Sequence, residues 1–291
     1  MSRRPPAAWY DAQYDNRARI AEHPAILRRW AETSAAAYSA PAALAVRRDL
    51  RYGDGPAETL DLFPAAGRDA PLLVWIHGGY WRALGKRDQA FVAPPFVAAG
   101  AAVALLDYAL CPAVRIEDIV RQTVQALAWL HRHAREHGID PRRIVVAGHS
   151  AGGHLATMLL ACQWPRVGDD LPRDLVGAAL SISGVYELEP LRRAPFLAPD
   201  LRLDAAAVAR LSPARLPPPR GPLAAVVGGR ESEEFLRQHA LIRRRWGDAV
   251  VPVCEVLPGR NHMDVLDDLI EPSARLHRLA RGLLGCGAEN G

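Results

Sequence analysis

The residues best placed to do covalent chemistry lie in Ile144-Val145-Val146-Ala147-Gly148-His149-Ser150-Ala151-Gly152-Gly153-His154. An apolar run ends in G-x-S-x-G, and a helical pattern follows through Leu155, Met158 and Leu159. A serine becomes a usable nucleophile when a sharp strand-to-helix turn exposes its hydroxyl, and side chains two residues to either side would clash there. Gly148 and Gly152 remove those side chains. The helix that follows aims its first N–H groups, Ala151 foremost, at a carbonyl reacting with Ser150. The plainer reading is a glycine-rich turn with an idle serine, and the flanking strand and helix argue against it.

A second segment, His77-Gly78-Gly79-Tyr80-Trp81, directly follows another apolar run. Glycines let backbone approach a ligand closely, so the N–H groups of Gly79 and Tyr80 are expected to join that of Ala151 around a developing oxyanion. His77 reads as an anchor of the loop, not as a base.

A nucleophilic serine needs a base, and the base an orienting carboxylate. In strand-turn-helix hydrolases the chain order is serine, acid, histidine, with the histidine after the last strand. His262, in Pro258-Gly259-Arg260-Asn261-His262-Met263-Asp264, occupies that place. Glu231, in Gly228-Gly229-Arg230-Glu231-Ser232-Glu233-Glu234, follows the preceding strand and is the expected acid, with Glu234 and Asp264 as alternatives. Glu231, Glu233 and Glu234 also suit the positive end of the next helix without any further role. His131, His133 and His137 lie on the polar side of a helix and read as solvated, with no carboxylate spacing to make them a metal site.

These residues need a scaffold, and the pattern supplies one. Short apolar runs at 72–76, 101–106, 144–147, 176–182, 223–227 and 250–257 read as strands buried on both faces. Helical stretches alternate with them, the clearest at 116–137, where Ile116, Ile119, Val120, Val124, Leu127 and Leu130 form one stripe. Strand–helix alternation implies right-handed crossovers and a mostly parallel sheet with helices on both faces. Upstream lie a helical segment over 9–34 and two β-rich pieces, 44–51 and 59–63, joined by Gly53-Asp54-Gly55-Pro56. Residues 186–220, with Pro190, Pro195, Pro199, Pro213 and Pro217-Pro218-Pro219, break the rhythm and read as a small cap over the C-terminal edge of the sheet. The expectation is one domain over 1–291 with that cap.

Composition excludes several classes. The 291 residues are 49% hydrophobic with a net charge of +4, which is the balance of a packed core and not of a disordered chain. No run of about 18 apolar residues suggests a membrane span, and the start, Met1-Ser2-Arg3-Arg4-Pro5-Pro6, lacks the apolar stretch of a secretory signal, so a cytoplasmic protein is expected. The basic residues, all arginine apart from Lys86, are interspersed with acids, whereas a nucleic-acid binder gathers them on one face. Cys111, Cys162, Cys254 and Cys286 have neither metal-ligand nor disulfide spacing. No cofactor or metal, no nucleic-acid or membrane partner, and a monomer or homodimer acting on a small molecule are expected.

Taken together, the motifs resemble the α/β-hydrolase superfamily, and within it the kynurenine formamidase (arylformamidase) branch related to hormone-sensitive-lipase-type esterases. The loop His77-Gly78-Gly79-Tyr80-Trp81 is similar to that branch's HGG-x-W. The stretch from Gly229 to Phe235, with Arg237-Gln238, is similar to its G-x-x-D-S-x-E-F-x-x-Q, and Asn261-His262-Met263-Asp264 to its N-H-F-[DS]. Residues 10–17, with Tyr14 and Asn16, also look like this branch. Glu231 stands where the branch has Asp, and Met263 where it has an aromatic residue. The resemblance implies hydrolysis of N-formyl-kynurenine to kynurenine and formate by a Ser150–His262–Glu231 triad. Tyr80, Trp81, Tyr186 and Phe196 would line the aromatic leaving-group pocket, and Arg192 or Arg193 would meet the amino-acid tail. Two other readings use the same residues: a carboxylesterase for short-acyl or aryl esters, and a ligand-binding protein on a retired hydrolase fold. The intact Ser150, Glu231 and His262 speak against the second of these.

Overall fold

The structure, a computed structural model, describes residues 5–39 and 45–286. Leu44, at the start of the first expected β-rich piece, and residues 1–4 of the chain's start lie outside the described residues. Eight strands make one sheet: β1 (Arg47–Arg51), β2 (Thr59–Phe63), β3 (Ala70–Ile76), β4 (Ala102–Leu106), β5 (Ile139–His149), β6 (Ala178–Ile182), β7 (Leu223–Gly228) and β8 (Val253–Leu257). Their order is β1-β2-β4-β3-β5-β6-β7-β8. β2 runs antiparallel to both β1 and β4, and every other pairing is parallel. The sheet is therefore mostly parallel, as expected, with an antiparallel corner at one edge.

The helices are α1 (Ala7–Tyr14), α2 (Asn16–Arg19), α3 (His23–Ser39), α4 (Ala93–Ala98), α5 (Ile116–His133), α6 (Ala151–Leu160), α7 (Glu189–Arg192), α8 (Ala198–Leu201), α9 (Ala205–Leu211), α10 (Glu233–Trp246), α11 (Asp267–Ile270) and α12 (Arg275–Leu284). Alternation along the central strands sends side chains to two separate cores. Leu72, Val74 and Ile76 of β3 pack with Ile119 and Leu127 of α5, Leu155 of α6 and Phe235 of α10. Leu73 and Trp75 face the opposite way, onto Ile26 and Trp30 of α3, Phe91, Phe96 and Leu276 of α12. This double burial is why β3 and β5 read as unbroken apolar runs.

Two boundaries differ from the sequence reading. The helical segment read over 9–34 is made of three helices spanning 7–39, because Asp15 caps α2 by accepting the Ala18 N–H, and Ile20 turns extended before Pro24 sits in the first turn of α3. Helix α5 ends at His133 and tightens into a 3-10 turn up to Gly138, whose φ of 72° ends it. Residues 186–220 carry α7, α8 and α9, and Leu188, Leu191, Leu197 and Leu201 join the same core as α5 and α10. The cysteines are all free thiols. No described helix is long and apolar enough to cross a membrane.

The lone lysine has a structural explanation. Lys86 is 4% exposed, and its ammonium sits 2.8 Å from Asp49 Oδ1 and 3.6 Å from Asp61 Oδ1, while also donating to Thr59 Oγ1. Asp61 is fully buried and accepts from Tyr38 Oη at 2.6 Å, the Asp49 N–H at 2.7 Å and Arg87 Nε at 3.2 Å. A compact ammonium fits where a guanidinium fork would not. The cluster ties α3 to the antiparallel corner. Lys86→Met leaves part of the Asp61 charge uncompensated, so urea unfolding is expected to show a loss of about 3 kcal/mol. Arg192→Met, at an exposed pair with Glu189, is expected to lose under about 1 kcal/mol.

Candidate active site

The geometry at Ser150 follows from two missing side chains. A Cβ on Gly152 would lie 2.0 Å from the Ile76 carbonyl oxygen, and one on Gly148 would lie 2.3 Å from that of Gly152. Only glycine permits β5 and α6 to pass β3 this closely. Ser150 itself is held at φ 56°, ψ −115°, and its N–H donates to the Ile182 carbonyl at 2.8 Å. Ala151 opens α6, so its N–H has no intrahelical acceptor.

The loop after β3 comes close on the other side. Gly79 has φ 95°, and a Cβ there would meet the Ala83 carbonyl at 2.1 Å. Tyr80 and Trp81 also take positive φ, 51° and 56°, a costly state for aromatic residues. Tyr80 is fixed by its hydroxyl, which donates to the Tyr14 carbonyl at 2.6 Å and lies 3.4 Å from Asn16 Nδ2. His77 is fully buried beneath the loop, stacked on Tyr108 with ring centroids 4.3 Å apart. That is an anchoring position.

Glu231 and His262 meet directly: Glu231 Oε2 is 2.6 Å from His262 Nδ1. The other carboxylate oxygen accepts from Ser183 Oγ at 2.5 Å and from the Gly228 N–H at 2.7 Å. The bond to Glu231 puts the imidazole proton on Nδ1 and leaves Nε2 as the free lone pair. The two other acids are occupied elsewhere. Glu234 accepts from Tyr14 Oη at 2.8 Å and pairs with Arg237, and Asp264 accepts from the Asn261 N–H and side chain at 2.6 and 2.9 Å. Desolvation pushes the Asp264 carboxyl above its ordinary value.

A cavity of about 430 Å³ opens in front of these groups, and Ser150, His262, Gly79 and Tyr80 all line it. Phe196 and Tyr80 are on its wall, with rings edge to face at 5.9 Å. Trp81 and Tyr186, expected there, are not. Trp81 is fully buried with its ring edge-on to His154 at 5.0 Å, and Tyr186 is fully buried with its hydroxyl donating to Ser181 Oγ at 2.9 Å. Each aromatic fills core below the site. Arg192 and Arg193 are also elsewhere, both paired with Glu189. Arg17 and Arg82 line the cavity instead. Arg82 is bound to Asp200 and to the Phe196 carbonyl, whereas Arg17 is exposed and has no partner among the described residues.

Sequence reasoning missed Ser183, His149 and the wall built by Asp15, Asn16, Arg17, His23, Leu27 and Trp30. Ser183 follows the expected strand β6 at its C-terminal end, the one signal that pointed to it. Met263 lines the cavity where the resemblance leads one to expect an aromatic residue. His133 stacks on Trp129 with centroids 4.4 Å apart, and no cluster of three metal-ligating side chains occurs among the described residues.

Comparisons with known proteins bear on this arrangement. Residues 60–166 match the BD-FAE family. The chain is 27% identical over 247 residues to the kynurenine formamidase of Danio rerio, covering 81% of each protein. It is similar to the crystal structure of a candidate thioesterase from Silicibacter sp. TM1040, with TM-score 0.80 and 32% identity across 91% of this chain and 96% of the other. Esterase LipW of Mycobacterium marinum shares the fold at TM-score 0.68 and 21% identity, covering 91% of this chain and 89% of that one.

Glu231→Asp tests how far the site depends on its longer acid. The shorter side chain cannot reach His262 Nδ1 while keeping the Ser183 and Gly228 bonds, and a misplacement of about 1 Å costs on the order of 100-fold in kcat. Steady-state hydrolysis should show that loss in kcat with KM little changed.

Proposed function

This chain belongs to the α/β-hydrolase superfamily and resembles its kynurenine formamidases and hormone-sensitive-lipase-type esterases, and we propose that it is a serine hydrolase that cleaves an aryl formamide such as N-formyl-kynurenine. The observation that carries this reading is the 2.6 Å contact between Glu231 and His262, with that histidine on the same cavity wall as a serine strained into a nucleophile turn.

The steps follow from the residues. His262 Nε2 takes the proton of Ser150 Oγ as the oxygen attacks the formyl carbon, and Glu231 stabilises the imidazolium that forms. The N–H groups of Gly79, Tyr80 and Ala151 receive the oxyanion, each worth about 3–4 kcal/mol in the transition state. The imidazolium then protonates the departing aryl amine. Water, deprotonated by the same histidine, releases formate from the formyl-serine and restores the hydroxyl. Trp30, Tyr80 and Phe196 offer aromatic surface for the leaving group, and the unpaired Arg17 suits the carboxylate of its amino-acid tail. Asp15, on the same wall, suits the tail's ammonium group.

A second reading, hydrolysis of short esters or thioesters, is favoured by the 32% identity to the candidate thioesterase. The acyl-enzyme route is common to both, so the leaving group decides between them. The kcat/KM for N-formyl-kynurenine is expected to exceed that for p-nitrophenyl acetate, and a preference for the ester by several orders of magnitude overturns the formamidase reading. A fluorophosphonate probe should label the parent protein and not Ser150→Ala. If Arg17 receives the tail, Arg17→Gln raises KM for N-formyl-kynurenine about 10-fold, one partly exposed charge-assisted bond, and leaves p-nitrophenyl acetate untouched.

A further inference from the structure

His149 precedes the serine, yet the reaction as written gives it nothing to do. It is 3% exposed. Its Nε2 lies 2.6 Å from the backbone carbonyl oxygen of His262. A carbonyl only accepts, so Nε2 carries the proton and Nδ1 holds the lone pair. Nδ1 has no partner among the described residues and lies 3.3 Å from the place where a Cβ on Gly78 would be. The ring is pressed between Trp30, edge-on at 6.3 Å, and the His262 ring at 4.7 Å. Burial pushes its basicity well below that of a free imidazole, and the neighbouring His262 adds to this.

We propose that His149 is a positioning residue: its Nε2–H, donated to the His262 carbonyl, ties the loop that carries the base to the turn that carries the nucleophile. The two loops leave β5 and β8, which are separated in the sheet by β6 and β7. Glu231 fixes the rotation of the His262 ring, whereas His149 fixes the height of its backbone above Ser150. A neutral imidazole suits this work, because a charged one beside His262 would oppose the imidazolium that forms during the reaction. Gly78 contributes by leaving the ring room, since a Cβ there would also lie 2.9 Å from the His149 carbonyl oxygen.

The proposal rests on the serine-hydrolase reading and is tested so that the two can fail separately. His149→Phe keeps the ring and its packing but deletes the donor, while His149→Gln keeps a donor near the Nε2 position and deletes the ring. A positioning role predicts that His149→Phe loses about 10- to 100-fold in kcat with KM unchanged, and that His149→Gln recovers most of it. A packing role predicts the reverse order, so a Phe variant as active as the Gln variant, or more so, overturns the proposal. A measurement on the parent protein covers the case in which neither variant folds. Nitrogen-15 NMR of labelled histidine should find His149 neutral at pH 7 with the proton on Nε2, and a proton on Nδ1 or a charged ring overturns the proposal. Full hydrolysis by Ser150→Ala would sink the serine-hydrolase reading, and the NMR result would still decide the His149 bond.

Discussion

The site depends on one close backbone crossing. Where β5 turns into α6, Gly148 and Gly152 let the chain pass within contact of the Ile76 carbonyl at the end of β3, with no room for a methyl group. That approach drives Ser150 into a backbone state that costs about 1–3 kcal/mol, held in place by the Ser150 N–H to Ile182 bond and by the packed α6. It also sets the loop after β3 beside the serine, so Gly79, Tyr80 and Ser150 line one cavity. The remaining groups come from the C-terminal ends of β6, β7 and β8, which supply Ser183, Glu231 and His262. Parallel strands in register put these ends on one edge, where Ser183, Glu231 and His262 are joined by hydrogen bonds.

This explains which parts of the site could be read from the sequence. Ser150, Glu231 and His262 each sit in a turn directly after an apolar run, and strand ends are legible because burial on both faces leaves an unbroken apolar signature. The parallel sheet was legible for the same reason. Ser183 and His149 were not, because their roles are set by hydrogen bonds to residues 48 and 113 positions away. Trp81 and Tyr186 show the converse error. An aromatic residue near a motif can point into the cavity or into the core, and residue type carries no sign of the direction. Tyr80 and Trp81 are neighbours with opposite fates for this reason. The helical segment read over 9–34 is divided by local capping, with Asp15 and Pro24 marking new helix starts.

Glu231 is longer by one methylene than the acid its resemblance suggests, and the surroundings show how the length is absorbed. Its two oxygens divide their work: Oε2 meets His262, while Oε1 is held by Ser183 and by the N–H of Gly228, three residues back in the chain. The side chain folds back over its own turn, which takes up the additional reach. A carboxylate held by three donors has little rotamer freedom left, so the longer side chain need not orient the imidazole less well.

The Glu231–His262 pair and the cavity wall draw on different parts of this fold. Ser150, Glu231 and His262 follow the ends of β5, β7 and β8. The cavity wall is shared between α2, α3, Phe196 and the loop from Gly79 to Leu84. Tyr80 belongs to both, because it lines the cavity beside Ser150 while its hydroxyl donates to the Tyr14 carbonyl and lies near Asn16. On the proposed reading, changes in the N-terminal helices reshape the leaving-group pocket while leaving Ser150 and His262 in place, but only where the Tyr80 tie survives. Loss of that tie would release a residue held at positive φ and, on the same reading, cost an oxyanion donor along with the wall. On that reading the N-terminal segment acts on turnover through one phenol hydroxyl and on specificity through the rest of its surface.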